Sequence, residues 1–200
     1  MLPVHRFMSA AALALVCASS FASTSTYTSS ASFMGHVAAG AYTETFDGIN
    51  DLPLGPVDFS GAGFSYTVAS PFDLYASGEF LSTSSNNQEL TITFTSGNVT
   101  AVGSNFYATD SQDAFQAVSL TLTLSDGTTT TFTPTSVTDS FRGFSSDLTI
   151  TSLVVSAPGA ALYAGIDNLT VGVAAVPEPS SWALMGLGLV GLLAARRRAQ

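Results

Sequence analysis

The chain contains no lysine and a single cysteine, Cys17, among its 200 residues. Four of its five arginines lie close to the two ends, so Arg142 is the only lysine or arginine between residues 23 and 175. The same region holds thirteen of the fourteen acidic residues and carries a formal charge of −12. A region this acidic does not bind nucleic acid through counterion release, so nucleic acid is excluded as a partner. Neutral sugars, divalent cations and basic surfaces stay open, and the acidity also helps an exported protein to stay soluble.

The residues that most catalytic sites require are also scarce. Between residues 23 and 175 His36 is the only histidine, so a Ser-His-Asp arrangement would depend on it alone. Phosphate loops, zinc spacings and dinucleotide-binding glycines are missing. A pair of carboxylates for glycoside hydrolysis stays possible, because sequence does not show how far apart two acids lie. The sequence therefore predicts a non-catalytic protein, with a glycan hydrolase as the less favoured alternative.

The first 22 residues have the organisation of a signal peptide. His5 and Arg6 precede an apolar stretch over residues 7–17, and Ser20 and Ala22 suit the −3 and −1 positions of a cleavage site. We expect signal peptidase to cut after Ala22. That cut removes Cys17 and leaves a chain that forms neither a disulfide nor a cysteine metal site.

The last 25 residues, 176–200, combine three signals. Pro177 and Pro179 bracket Glu178 and keep this stretch out of helix and sheet. The apolar run Trp182–Ala195 follows, and as a helix it would span about 21 Å at roughly 1.5 Å per residue. This is short for a hydrocarbon core of about 30 Å. The run therefore predicts a short transmembrane helix that is marginal as a permanent anchor in the inner membrane.

The arginines at the end set the orientation of that helix. Clustered cations stay on the cytoplasmic side of a membrane, which places everything before Val176 outside. The orienting residues are Arg196, Arg197 and Arg198.

This tail closely resembles the PEP-CTERM sorting tail, in which a Pro-Glu-Pro motif precedes a short transmembrane helix and a basic end. The matching residues are Pro177, Glu178 and Pro179, the run Trp182–Ala195 and the final arginines. The resemblance implies export by a Gram-negative bacterium that makes exopolysaccharide, and processing by the membrane enzyme exosortase. It implies a transient or stable membrane anchor, followed by a cell-surface or extracellular location in a biofilm.

Between the two terminal signals the sequence predicts a short lead-in and one folded domain. Residues 23–39 are rich in Ser, Thr and Ala without a clear period, which favours a flexible lead-in. The domain then runs from 40 to 175. Apolar and hydroxyl side chains alternate with a period of two over 90–96 and 118–125, as in half-buried strands.

Turn signals connect these strands. Asp126-Gly127 predicts a hairpin between 118–125 and 129–134, with both turn residues at positive φ, and Gly97-Asn98 predicts another between 90–96 and 99–107. Further strands are expected at 41–47, 63–69, 148–156 and 166–173. The fold class is therefore all-β, a single antiparallel β-sandwich of jelly-roll type.

Residues 98–173 also resemble, more weakly, an ectodomain that recurs among proteins with this tail. The pattern comprises the aromatic pair Phe106-Tyr107, the hairpin Leu124–Thr128, Phe141-x-Gly143-Phe144, Ile150–Leu153 and Ile166–Val171. The resemblance implies a sandwich similar to sugar-binding modules, without identifying a ligand.

Two acids fall in phase with apolar neighbours on predicted strands. Glu44 is in phase with Tyr42 and Phe46, and Asp167 is in phase with Leu169. Buried carboxylates need a partner, and first and last strands are commonly adjacent in jelly rolls. We therefore expect a structural Ca²⁺ ion at Glu44, Asp47 and Asp167. Two alternatives stay open: one acid pairs with Arg142, or strand twist turns both acids to solvent.

Three function classes are compatible with these observations. The favoured one is a non-catalytic surface or extracellular-matrix protein associated with exopolysaccharide, with weak sugar binding on exposed aromatic rings. The candidate rings are Phe72, Tyr75, Phe106, Tyr107 and Tyr163. The second class is a purely structural or adhesive protein that acts through threonine-rich strand faces, and the third is a hydrolase.

Overall fold

The computed structural model describes residues 23–50, 55–157 and 161–175, together with Gly188. Over these residues the chain forms two antiparallel sheets and one short helix, α1 (Ser30–Met34). The all-β class and the antiparallel pairing are therefore confirmed, while the jelly-roll type stays a prediction. The predicted signal peptide, the Pro-Glu-Pro motif and, apart from Gly188, the predicted transmembrane run lie outside the described residues.

One sheet has eight strands and contains both ends of the folded body. Its members are β1 (Thr24–Tyr27), β2 (Tyr42–Glu44), β5 (Leu74–Ala76), β6 (Leu81–Thr83), β8 (Ala101–Thr109), β9 (Phe115–Gln116), β12 (Phe141–Ser146) and β14 (Tyr163–Gly172). The order is β1-β12-β8-β14-β6-β5, with β2 paired to β14 and β9 paired to β8. The predicted neighbourhood of strands 41–47 and 166–173 is confirmed by the pairing of β2 with β14.

The other sheet has six strands in the order β11-β10-β13-β7-β4-β3. They are β3 (Val57–Gly61), β4 (Phe64–Ala69), β7 (Glu89–Phe94), β10 (Leu120–Leu124), β11 (Thr129–Phe132) and β13 (Ser152–Ser156). This sheet contains the strands whose alternation is clearest in the sequence.

The inward side chains of both sheets meet in one core. Leu90 and Ile92 of β7 and Leu120 and Leu122 of β10 are fully buried, whereas the threonines between them are half-buried or exposed on the opposite face. Each such burial stabilises the fold by about 1.5–3 kcal/mol. The period of two in the sequence is therefore the direct cause of the sandwich-like arrangement.

Residues 23–39, expected as a flexible lead-in, instead belong to the folded body. β1 pairs along β12 from Thr24 opposite Ser146 to Tyr27 opposite Gly143. α1 then lays Phe33, which is 0% exposed, on the outer face of the eight-stranded sheet. Tyr27 and Val37 pack against the same cluster as Phe33. The folded body therefore includes residues 23–39, and does not start only at residue 40.

Two glycines make room for that ring. Gly103 of β8 and Gly143 of β12 are paired, and a Cβ on either residue would lie 2.9 Å or 2.6 Å from atoms of Phe33. No larger residue fits beneath the ring without displacing it. Phe33 thus forms a small second core with Ala101 and Phe141, on the side of the sheet away from the main core.

The two predicted turns have different outcomes. Residues 124–128 close the hairpin between β10 and β11, although only Gly127 takes a positive φ, while the Asp126 carboxylate accepts the Thr128 N–H at 2.8 Å. The hairpin predicted at Gly97-Asn98 is wrong. β7 and β8 lie in different sheets, so this turn carries the chain across the core and not back along the same sheet.

Candidate functional site

A cleft of about 210 Å³ opens on the outer face of the eight-stranded sheet, beside β5, β6, β8 and β14. We call it the tyrosine cleft. It is lined by Tyr75, Tyr163, Asp110 and Asp113, and by five residues that carry hydroxyl groups. The five are Ser82, Thr83, Ser84, Thr109 and Ser111.

Three of the hydroxyl residues are almost completely buried. Ser82 and Thr83 lie on β6 and Thr109 ends β8, and their exposed fractions are 1%, 0% and 2%. The Ser82 hydroxyl donates to the Thr83 carbonyl oxygen at 3.2 Å. Within the described residues the Thr83 hydroxyl has no hydrogen-bond partner. Thr83 pairs with the buried Leu74 and alternates with Ser82, so its hydroxyl lies on the core side of β6 and not in the cleft.

The two tyrosines come from different strands. Tyr75 lies on the edge strand β5 and is 39% exposed, and its ring packs edge-on against Phe80 with 6.3 Å between centroids. Tyr163 begins β14, is half-buried and pairs with Thr109 across the sheet. The cleft therefore has an accessible ring on a rigid support.

A short loop between β8 and β9 presents the second wall. The Asp110 carboxylate accepts the N–H groups of Gln112 at 2.9 Å and Ala114 at 3.1 Å, and the Nε2 of Gln116 at 2.8 Å. These bonds fix the loop. Asp113 in this loop has a φ of 62°, in the left-handed region that aspartate tolerates better than most residues.

Asp113 is joined to Tyr75 across the cleft. The Tyr75 hydroxyl donates to Oδ2 of Asp113 at 2.7 Å. This hydrogen bond raises the pKa of the Tyr75 phenol above its ordinary value, because the carboxylate favours the protonated form. Tyr75 therefore stays a donor at neutral pH, and the carboxylate keeps acceptor capacity for further groups.

The five predicted aromatic platforms separate into three groups. Tyr75 and Tyr163 line the cleft, whereas Phe72 is 62% exposed and does not line it. Phe106 and Tyr107 are buried, with 0% and 4% of their surface exposed, so their prediction as exposed sugar platforms is wrong. Phe106 points into the main core, and Tyr107 is covered by the ring of Phe80 at 5.6 Å.

The three predicted calcium ligands are not brought to one site. Asp167 has Asp47 as a neighbour but not Glu44, because a β-bulge reverses the alternation of β14. Between Asp167 and Thr170 the register with β8 shifts by one residue, and Asn168 takes a φ of 53°. Leu169 thus faces the core, whereas Asp167, opposite Asn105, faces outward. The prediction that Asp167 points inward is wrong for this reason.

Glu44 does face the core side, since it pairs with the buried Leu169. Its carboxylate accepts the hydroxyl of Tyr42 and, at 3.1 Å, the N–H of Phe46. Glu44 and Asp167 therefore lie on opposite faces of the sheet. Asp47 is exposed, and no group of three or more His, Cys, Asp or Glu within the described residues is placed to hold a metal ion.

Asp167 instead forms an acidic neighbourhood with Asp47 and Glu79. Partial burial raises its pKa to about 6, and the charges of these two neighbours act in the same direction. Hydrogen bonds from Asn168, N–H at 2.6 Å and Nδ2 at 2.7 Å, limit the rise. The Asp167 carbonyl in the bulge accepts the Ser104 hydroxyl at 2.6 Å.

This raised pKa predicts a pH-dependent stability. An unfolded aspartate titrates near 3.9, so protonation of Asp167 stabilises the fold fully below that pH, and the contribution is lost as the pH rises through about 6. Unscreened, the shift corresponds to roughly 3 kcal/mol, and solvent at this half-buried group reduces it to about 1–2 kcal/mol. We expect Asp167→Asn to raise the free energy of unfolding at pH 7.5 by this amount.

Urea unfolding between pH 4.5 and 7.5 measures the effect. The variant should lose much of the gain in stability that the unsubstituted protein shows on acidification. Glu89→Gln, at an exposed carboxylate that begins β7, is the control and should retain it. If the free energy of unfolding depended on pH equally in Asp167→Asn and the unsubstituted protein, the raised pKa of Asp167 would not be the source of the pH dependence.

Arg142 does not pair with Glu44 or Asp167. Its guanidinium lies 3.8 Å from the centroid of the Phe132 ring and donates to the carbonyl oxygens of Phe141 at 2.6 Å and Asp139 at 3.3 Å. A cation over an aromatic face is attracted by the ring quadrupole. The single arginine of the body thus joins the edge of the six-stranded sheet to β12.

His36 is hydrogen-bonded to the backbone of α1. Its Nδ1 lies 2.9 Å from the Ser32 carbonyl oxygen, and its ring lies 4.8 Å from that of Tyr27. A general base for a serine nucleophile needs a hydroxyl within hydrogen-bond reach. Among the described residues, the hydrogen bonds of His36 do not include one to a hydroxyl.

The second candidate site is the tail, which comes directly after the described residues of the body in the sequence. The N–H of Ala174 donates to Oγ1 of Thr100 and that of Ala175 to the carbonyl oxygen of His36, both at 2.8 Å. The family model of the PEP-CTERM protein-sorting motif matches residues 175–198. The chain carries a PEP-CTERM sorting motif. This confirms the resemblance of the tail, and it supports an exported, membrane-associated protein that is sorted to the cell surface with exosortase as its partner.

The match covers residues 175–198 and does not extend to the strands of the body. Neither the curated proteins nor the solved structures gave a match to this chain. Where the structure describes the chain, no helix has the length and apolar character needed to cross a membrane.

Proposed function

We propose that the protein is a non-catalytic surface or extracellular-matrix protein, processed by exosortase at its PEP-CTERM tail, whose body associates weakly with neutral exopolysaccharide. The observation that carries the proposal is the sorting motif at 175–198. In this proposal Arg196–Arg198 stay on the cytoplasmic side of the inner membrane, and signal peptidase has removed residues 1–22. The body is then transferred to the surface or the medium.

The contacts of Ala174 and Ala175 bear on where processing occurs. Both residues are hydrogen-bonded to the body, and the Pro-Glu-Pro residues follow them closely in the sequence. A protease needs an extended segment, and proline disfavours both helix and sheet. Cleavage within 177–181 would release the whole body without disturbing its last strand.

Association with glycans is supported by charge and by the tyrosine cleft. A body of charge −12 with one arginine is unsuited to anionic polymers. The cleft offers hydroxyl groups, carboxylate acceptors and an accessible ring, which are the groups that hold neutral sugars.

Mass spectrometry of the protein recovered from cells and medium tests the proposal. In a bacterium with exosortase, we expect a C-terminus between Pro177 and Ser181. In an otherwise identical strain without exosortase, the chain should retain Arg198. An intact Arg198 in every fraction of both strains would refute processing.

A purely structural or adhesive protein is the second candidate, and the outer face of the six-stranded sheet favours it. Hydroxyl side chains lie in register across its strands, as in the row Ser152, Thr93 and Thr67 and the pair Thr121 and Thr131. The hydroxyls of the latter pair are 3.2 Å apart. Binding of glycans to the protein separates the two candidates, since this one requires none. A glycan hydrolase has less support, because Asp110, one of the two cleft carboxylates, is already bonded to three donors of its own loop.

A further inference from the structure

The tyrosine cleft gathers polar groups on the outer face of the eight-stranded sheet. Ser82 of β6 and Thr109 of β8 form its floor, and Tyr75 and Asp113 stand over them. A ligand that carries hydroxyl groups would find donors and acceptors on these residues.

The charges of the lining define which ligands fit. Asp110 and Asp113 are the charged residues of the lining, and no lysine or arginine belongs to it. Phosphate, sulfate and uronic acids would meet repulsion here. Ligand hydroxyls, in contrast, can donate to Asp113, which uses Oδ2 for Tyr75 and retains further acceptor positions.

The size of the cleft limits the ligand further. Its volume of about 210 Å³ lies below the roughly 300–1,000 Å³ of sites that hold drug-sized molecules. One six-membered ring with its hydroxyls is a ligand of suitable size. Tyr75, with 39% of its surface exposed, provides a face against which the C–H groups of such a ring can pack.

We propose that the tyrosine cleft binds one neutral sugar ring of an exopolysaccharide, packed on Tyr75 and hydrogen-bonded through its hydroxyls to Asp113 and the cleft floor. This inference rests on the proposed association with glycans and assigns that association to one site. The bond from Tyr75 to Asp113 joins the packing surface to the acceptor, so both are in place before the sugar arrives.

Titration of the full chain with single sugars tests the proposal. The protein is purified in detergent from a host without exosortase, and binding of glucose, galactose, mannose and N-acetylglucosamine is followed by saturation-transfer NMR, with galacturonate as the anionic probe. We expect millimolar binding of at least one neutral sugar and none of galacturonate. Tyr75→Ala should weaken binding about tenfold through loss of the ring contact.

The variants separate the parts of the site. Tyr75→Phe keeps the ring and should stay within about threefold of the unsubstituted protein, whereas Asp113→Asn should weaken binding about three- to tenfold. Phe72→Ala removes an exposed ring that does not line the cleft and should leave binding unchanged. Thermal unfolding of each variant checks that the fold is intact, and a Tyr75→Ala chain that fails to fold leaves Asp113→Asn to decide.

Retention on the producer's own exopolysaccharide distinguishes failure of this inference from failure of the proposed function. If the polymer retains the unsubstituted chain and Tyr75→Ala equally, the cleft assignment is overturned while glycan association stands. If the polymer retains neither and no sugar binds, glycan association itself fails, and processing of the tail stays a separate question. Equal loss with Phe72→Ala and Tyr75→Ala, or binding of galacturonate, also overturns the assignment.

Discussion

Phe33→Ala is expected to lower the free energy of unfolding of the body, residues 23–175, by about 3–5 kcal/mol. The ring is 0% exposed and lies on Gly103 and Gly143, with Phe141 at 5.7 Å between ring centroids. Removal of the ring leaves a cavity between α1 and the sheet, because two glycines cannot fill the space. Urea denaturation of the body followed by circular dichroism measures the loss.

Met34→Ala is the matched control for this prediction. Met34 is the next residue of α1 and is 45% exposed, so its truncation should change stability by less than about 0.5 kcal/mol. A complementary variant, Gly143→Ala, places a methyl group about where Phe33 lies and should cost about 1–3 kcal/mol. If Phe33→Ala were as mild as Met34→Ala, residues 23–39 would be the flexible lead-in that their composition indicates.

Replacement of Pro177, Glu178 and Pro179 together by alanine is expected to abolish processing and keep the protein in the membrane fraction. Alanine is the best helix former, so the substituted segment can join the apolar run 182–195 as one longer helix. Such a helix suits the hydrocarbon core better and offers no extended segment to a protease. Immunoblots of membrane and medium, with mass spectrometry of the C-terminus, give the result.

Gln200→Ala lies outside residues 175–198 and provides the control for the tail, since it should be processed like the unsubstituted chain. Release of the triple variant at the normal level would show that the Pro-Glu-Pro residues are not what exosortase reads. The body of the triple variant should unfold at the same temperature as that of the unsubstituted chain, because none of the contacts described for residues 23–175 involves the three substituted residues.

The candidate site was only partly predictable. Tyr75 and Tyr163 could be named as aromatic candidates, but no sequence pattern favours them over Phe106 and Tyr107. The choice between core and cleft follows from the direction in which each side chain leaves its strand and from what covers it. Asp113 was not singled out, and its only local signal is that aspartate is common in turns.

The bulge in β14 shows why the orientation of Asp167 was predicted wrongly, while that of Glu44 was not. A strict period of two puts Asp167 in phase with Leu169. The only local indication of an extra residue in this strand is Asn168, because asparagine tolerates positive φ. One inserted residue reverses every later side chain. A ligand set predicted from strand phase is therefore wrong wherever a bulge lies between a ligand and the residues that define the phase.

The sequence by itself determined the sorting motif of the tail, the β class and the strands with clear alternation, because these depend on local properties: proline geometry, length of an apolar run and the pleat of a strand. Only the tertiary structure decided that residues 23–39 pack on the sheet, that Glu44 and Asp167 face opposite sides, and that Tyr75 meets Asp113. These features join residues far apart in the chain, and Tyr75 and Asp113 are separated by 38 positions. Their placement is set by strand order and register, which no local pattern encodes.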